Sequence, residues 1–204
     1  MRLIVSLTAA ASALALAACQ PADDVTPPAD TPPTTETPDA PPADANALTA
    51  EGWSTLRIGM TLDEVTAAMG PDSDPEAVGG AEPEFCDQFR PERAPEGLLV
   101  MIEEGVLTRI SIMDTSALRT DRGFGLGSTG AEVKAAYGDA AIVEAHHYVG
   151  LPAEYITVWG TGRDGAEYVQ DPAARGIRYE TDENGVVTLI HVGGPSIQYV
   201  EGCA

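Results

Sequence analysis

Three histidines, three cysteines and a surplus of carboxylates are the residues of this 204-residue chain with chemistry to offer. His146 and His147 are adjacent, and neighbouring side chains on a strand point to opposite faces, so the two do not easily grip one ion. His191 falls opposite an apolar stripe, and with Arg109 and Ser111 it is expected to face outward. There is no His-Glu-x-x-His and no Cys/His cluster, which argues against zinc. Asp72-Ser73-Asp74 holds two of the acids a calcium loop wants but lacks the rest. No Gly-x-Ser-x-Gly elbow marks a serine nucleophile, although a Ser-His-Asp triad assembled from distant residues stays open. Gly125-Leu126-Gly127-Ser128-Thr129-Gly130 has the spacing of a dinucleotide loop. Such a loop needs a preceding strand and an acid ~20 residues on, and the matching stretch Arg57-Ile58-Gly59-Met60-Thr61-Leu62 keeps one glycine. The glycines are therefore assigned to a turn entering a helix. The expectation is no catalytic residue, no metal and no cofactor, with the carboxylates as solvated surface.

Charge narrows the partners. With 32 acidic and 11 basic side chains the net charge is −21 and the pI about 4.2. Phosphate-backbone binding needs Lys and Arg, so nucleic acid is excluded as a partner, as is docking on anionic lipid through a basic patch. Aromatic residues make up 5% of the chain, too few for a large aromatic-lined cleft.

The elements that carry these residues differ along the chain. Residues 1–18 begin Met1-Arg2, run through a short Leu/Ile/Val/Ala stretch and end in small residues, the pattern of a secretory signal. Its end, Leu16-Ala17-Ala18-Cys19, resembles the bacterial lipoprotein lipobox. The resemblance implies diacylglyceryl transfer to Cys19, cleavage between Ala18 and Cys19, and acylation of the new amine, so that the chain meets the membrane through a lipid anchor. Two or more acyl chains hold stably where one does not. Gln20 in place of Asp implies, by the sorting rule of such lipoproteins, the outer membrane facing the periplasm. Residues 19–47 form the tether; from Gln20 to Ala47 they hold eight prolines, six acids and no base. Such a stretch buries nothing and reads as an extended spacer. With Cys19 lipidated, Cys86 and Cys203 are left as an even pair in an oxidising compartment, and a disulfide between them is favoured over two free thiols or a catalytic Cys86, whose thiolate the neighbouring acid would disfavour.

Residues 48–204 read as a globular domain with an internal match. Ile58 to Gly70 aligns with Leu126 to Gly138, seven of 13 positions being identical. In both copies Thr and Glu stand three apart before an apolar run, Thr61 with Glu64 and Thr129 with Glu132, the signature of a helix capping box. Gly105 to Ile112 matches Gly185 to Val192, with Val106, Thr108, Ile110 and Ile112 expected on one strand face and Val186, Thr188, Ile190 and Val192 on its equivalent. Glu183-Asn184-Gly185 is a strong hairpin signal. The expected fold is α+β, with two tandem repeats (about 48–118 and 119–204). Each would be a short helix followed by an antiparallel meander, with helices on one face of the sheet.

Gly59-Met60-Thr61-Leu62-Asp63-Glu64-Val65 is similar to the helix opening of small outer-membrane lipoproteins of the SmpA/OmlA (BamE-like) superfamily, whose tandem version is the architecture of the β-lactamase inhibitor protein. The resemblance implies a non-catalytic protein-interaction module with a protein partner, in outer-membrane assembly or envelope integrity. Inhibition of a periplasmic hydrolase is a second reading, and a periplasmic enzyme a third. Gly160 to Pro172 is the expected binding loop, by its polar, glycine-containing composition.

Overall fold

The computed structural model describes residues 46–76, 79–163 and 167–203, all within the unit 40–204. The lipobox with Ala18 and Cys19, and the tether up to residue 45, lie outside the described residues. A small ribbon pairs β1 (Gly52–Trp53) with β2 (Leu56–Arg57). Helix α1 (Leu62–Met69) comes next, then β3 (Cys86–Phe89), β4 (Leu98–Glu103) and β5 (Val106–Ile112). Helix α2 (Gly130–Tyr137) precedes β6 (Ile142–Ala145), β7 (Glu154–Thr161), β8 (Arg175–Thr181) and β9 (Val187–Gly193). The seven longer strands form one antiparallel sheet in the order β3-β4-β5-β9-β8-β7-β6.

This corrects the expected fold class. The domain is mostly β-sheet, with two α-helices of eight residues among the described residues, and it is not built as two helix-plus-meander repeats. The physical reason lies in the two matched strand segments. They become β5 and β9, and instead of each closing a unit of its own they hydrogen-bond to one another, from Arg109 opposite Gly193 to Ile112 opposite Ile190. One continuous sheet results, with three strands on one side of that seam and four on the other.

Local sequence explains how each helix starts and stops. The Thr61 hydroxyl accepts from the Glu64 amide at 3.3 Å, and the Glu64 carboxylate accepts from the Thr61 amide at 2.8 Å. Thr129 and Glu132 do the same at 3.2 and 3.0 Å. Reciprocal bonds of this kind satisfy helix-end amides that have no partner inside the helix. The next amides dock on the hairpin turns, Leu62 to the Gly105 carbonyl and Gly130 to the Gly185 carbonyl. Thr61→Ala is expected to cost about 1 kcal/mol in urea unfolding; an unchanged midpoint would show the cap idle.

One sheet face builds the core. Val65 and Met69 of α1, Val133 of α2, Trp53 and Leu56 of the ribbon, and Leu48 just before it pack against Val100, Ile110, Ile156, Tyr179, Ile190 and Val192. Two bulges change the predicted faces. The register shifts between Met101 and Ile102 leave Thr108 unpaired, so Leu107, not Thr108, joins Ile110 and Ile112 in the core. A shift between Glu180 and Thr181 does the same at Thr188 and sends Val187 inward.

The opposite face is also covered. After β9 the chain turns through a short 3-10 segment, Pro195–Gln198, and lies back over β5, β8 and β9. It reaches β3, where Cys203 stands in disulfide geometry with Cys86, Cα atoms 5.5 Å apart. Gly202 permits this approach: its φ is +75°, and a Cβ there would sit 2.5 Å from the Gln88 amide nitrogen.

Candidate functional site

Alternation on β5, β8 and β9 places polar side chains under this strap. Ser111 and His191 are cross-strand partners, as are His191 and Arg178. Ser111 Oγ lies 2.7 Å from His191 Nδ1, and His191 Nε2 lies 3.2 Å from Glu180 Oε1. The same Glu180 oxygen lies 4.0 Å from Arg178 Nε, and the other oxygen lies 3.7 Å from His146 Nε2. The Arg178 guanidinium also caps the Tyr155 ring, 3.6 Å from its centroid. Arg109 donates to Gln88 Oε1 at 2.8 Å and to the Ser196 carbonyl at 3.0 Å. Arg178 donates to the Ile197 carbonyl at 3.2 Å. The strap is therefore held by two buried arginines that satisfy its carbonyls.

Burial sets the protonation states. Desolvation, helped by the Arg109 charge, lowers the His191 pKa from 6.5 to about 4, against the pull of Glu180. Burial by itself pushes the Glu180 carboxyl upward, yet the His191 hydrogen bond and the Arg178 charge overcome it and hold the group below its usual value. Desolvation brings Arg109 down to about 10. Neutral His191 donating from Nε2 to Glu180 leaves Nδ1 as an acceptor for the Ser111 hydroxyl. That is the connectivity of a nucleophile, a base and an orienting acid. Ser111 is 2% exposed and His191 5%, so the hydroxyl is closed to substrate in this conformation. What the trio does here is tie three strands to one another.

The sequence reading expected His191, Arg109 and Ser111 outward; all three are buried. The signal for this was the run of Arg178, Glu180 and His191 on the non-core face, since several charges in register on adjacent strands can satisfy one another under a cover. His146 and His147 part company as adjacent strand-end residues should. His146 stacks near Tyr155 with ring centroids 4.6 Å apart, and His147 lines a shallow hollow of about 210 Å³ beside Glu144 and Arg178.

An open cleft of about 550 Å³ lies at the end of the sheet, beside the turn between β4 and β5. Its walls include Phe85, Glu103, Glu104, Arg175, Ser196 and Tyr199. The loop expected to bind, Gly160 to Pro172, contributes Gln170 and Pro172 to the wall. Phe85 is 60% exposed. Glu103 accepts from the Thr108 hydroxyl and from Tyr199. Burial, then the Glu103 charge, raises the Tyr199 phenol to about 12, so it stays a neutral donor. Arg175, also in the wall, has its Nε 3.5 Å from the exposed Glu51 carboxylate. Among the described residues neither Glu103 nor Glu104 forms an ion pair. No group of three or more His, Cys, Asp or Glu among them is placed to hold a metal ion. Compared with protein families, with curated proteins and with solved structures, the chain finds no match in any of the three.

Proposed function

We propose that this chain is a lipid-anchored envelope protein whose domain is a non-catalytic protein-interaction module. The observation that carries the reading is the contrast between the two polar sites. The Ser111–His191–Glu180 trio is sealed beneath the strap, whereas the cleft with its exposed Phe85 rim stands open. An exposed aromatic at the mouth of an open cleft is the composition of a recognition surface. The Leu16-Ala17-Ala18-Cys19 ending supports an acyl anchor on Cys19, and no helix among the described residues is long and apolar enough to cross a membrane. Outer-membrane assembly or integrity is the role we favour, and inhibition of a periplasmic hydrolase is the alternative.

A photocrosslinking residue at position 85, in cells carrying the full chain, is expected to capture one discrete protein. The same residue at Ala135, exposed on α2, is expected to capture none. Assembly machinery in the adduct supports the favoured role, and a soluble hydrolase the alternative. Equal labelling from both positions overturns the module reading. The enzyme reading draws on the trio alone: ester or cell-wall turnover by the purified chain that vanishes in Ser111→Ala would replace our proposal.

A further inference from the structure

We propose that the loop between β6 and β7, residues 146–153, is a second membrane contact that works beside the acyl anchor proposed above and rests on it. Tyr148, Val149 and Leu151 enter the headgroup–acyl boundary of the bilayer that holds the anchor, and so fix how the domain is turned on the membrane. Composition is the first support. Leu151 is 72% exposed, Tyr148 61% and Val149 55%, three large apolar side chains within four positions. Exposed apolar side chains gathered at one place mark a contact surface. From Ala145 to Ala153 the sequence has neither acid nor base, although the chain carries 32 acids.

The carboxylates around the loop leave its tip clear. Glu154 is paired with Lys134 at 2.5 Å. Asp182, in the turn at the same end of the sheet, accepts from the Asn184 and Val186 amides. Glu201 accepts from the Tyr148 hydroxyl, which gives that ring a polar end and an apolar body. Rings of this kind settle at the membrane–water boundary. Glu183 and Glu201 are exposed and stay in water, so entry stops at the tip.

Backbone chemistry selects lipid over protein. A segment that enters a bilayer finds no water for its amides and must satisfy them itself. The Tyr148 and Val149 amides donate to His146 Nδ1 at 3.3 and 3.4 Å, and the Gly150 amide donates to the His146 carbonyl at 2.7 Å. Pro152 has no amide to satisfy, and the Ala153 amide donates to the Gly150 carbonyl at 3.0 Å. The His146 amide closes the loop on the Ala153 carbonyl at 2.9 Å. A segment that recognises a protein by strand pairing needs such amides free.

The length of chain before the domain makes the contact reachable. From Cys19 to residue 45 there are 27 residues. They reach about 80 Å at the ~3.1 Å per residue of a proline-rich spacer, against about 40 Å for the breadth of a 157-residue domain. Any face can therefore meet the bilayer, at an effective concentration on the order of 1 mM. Three side chains, too few to hold a free protein on a membrane, then suffice. A net charge of −21 is repelled by anionic headgroups, so the loop fits a neutral leaflet.

The test places Leu151→Trp in the full lipidated chain, reconstituted in phosphatidylcholine vesicles with or without bromine on the acyl chains. Bromine quenches a tryptophan that enters the bilayer. Ala135→Trp, at an exposed position of α2, is the control, and the native Trp53 and Trp159 are common to both. The Leu151→Trp signal is expected to fall at least about twofold in brominated vesicles, and the Ala135→Trp signal to stay level. Adding Val149→Asp should return Leu151→Trp to the control, with circular dichroism showing the fold intact. About 30% phosphatidylglycerol should weaken the quenching, and 0.5 M salt should restore it. Quenching no greater at position 151 than at position 135 overturns the proposal. So does a photocrosslinker at position 151 that captures a protein and no lipid in cells. Flotation of the vesicles separates the two readings. A chain that floats without quenching keeps the anchor and loses the loop. A chain quenched with no acyl group on Cys19 by mass spectrometry loses the anchor and keeps the loop. A chain that does not float loses both.

Discussion

With serine at both Cys86 and Cys203, the free energy of unfolding is expected to fall by about 4 kcal/mol. The bond closes a loop across a separation of 117 residues, and the chain-entropy cost of closing such a loop in the unfolded state is ~4–5 kcal/mol. Urea unfolding under non-reducing conditions reads the change. The slope of the transition should also steepen, because the unfolded chain expands when the crosslink is lost. The effect reaches beyond entropy. Without the bond, the segment after Tyr199 is held by the Tyr148 hydroxyl donating to Glu201 and by its approach to Gln88, and Gln88 in turn receives a hydrogen bond from Arg109. Amide exchange should therefore quicken first across 199–203 and then around Gln88. Two free thiols by non-reducing mass spectrometry of the mature protein, or a loss below about 1 kcal/mol, would remove the crosslink from the account.

Acid is expected to destabilise the domain through His191. Its folded pKa is about 4 against 6.5 in the free side chain, so between these values the unfolded chain binds the proton and the folded one does not. Stability is therefore complete above pH 6.5 and declines as pH falls toward 4, by about 3 kcal/mol in all. Glu180, held below its ordinary value, adds a loss of the same sign at still lower pH. The groups that face His191 are Arg109 and Ser111 on β5 and Glu180 and Arg178 on β8, with His146 on the far side of Glu180. His191→Gln should be the weaker protein at pH 7, since it disturbs bonds to Ser111 and Glu180. Its deficit relative to the native chain should shrink by about 2–3 kcal/mol by pH 4.5. Denaturation curves at a series of pH values measure this, and parallel curves for the two proteins would exclude His191 as the source.

Features written within a few residues were open to reading from the chain; features that depend on what lies opposite were not. A Thr-x-x-Glu pair and its closing glycine are local, and so is the Asn184-Gly185 turn, where Gly185 takes φ +73°. Strand alternation likewise separates Ile110 and Ile112 from Arg109 and Ser111. Pairing is another matter. That β5 would bond to β9 follows from the closing of the whole sheet, and nothing in either segment announces it. The bulges at Thr108 and Thr188 each shift a strand face by one residue, and they show only in the register against the partner strand. The site was misread for a related reason. Polar residues on a strand face suggest water, but here residues 195–203 provide the cover, and the two arginine-to-carbonyl bonds that hold them span 87 and 19 residues. The cleft gathers its walls from positions 58 to 199, so no window of sequence displays it.

The bond between Cys86 and Cys203 also bears on how an oxidising compartment handles the chain. Three cysteines allow three pairings, and two of the three use Cys19. If the Cys19 sulfur is spent on an acyl anchor, both wrong pairings are chemically closed before the domain folds. A chain that emerges with Cys86 first then exposes a thiol with no intramolecular partner until 117 further residues have followed. Oxidation of this domain would have a single legal outcome, and maturation would need an oxidant but no isomerase to shuffle errors.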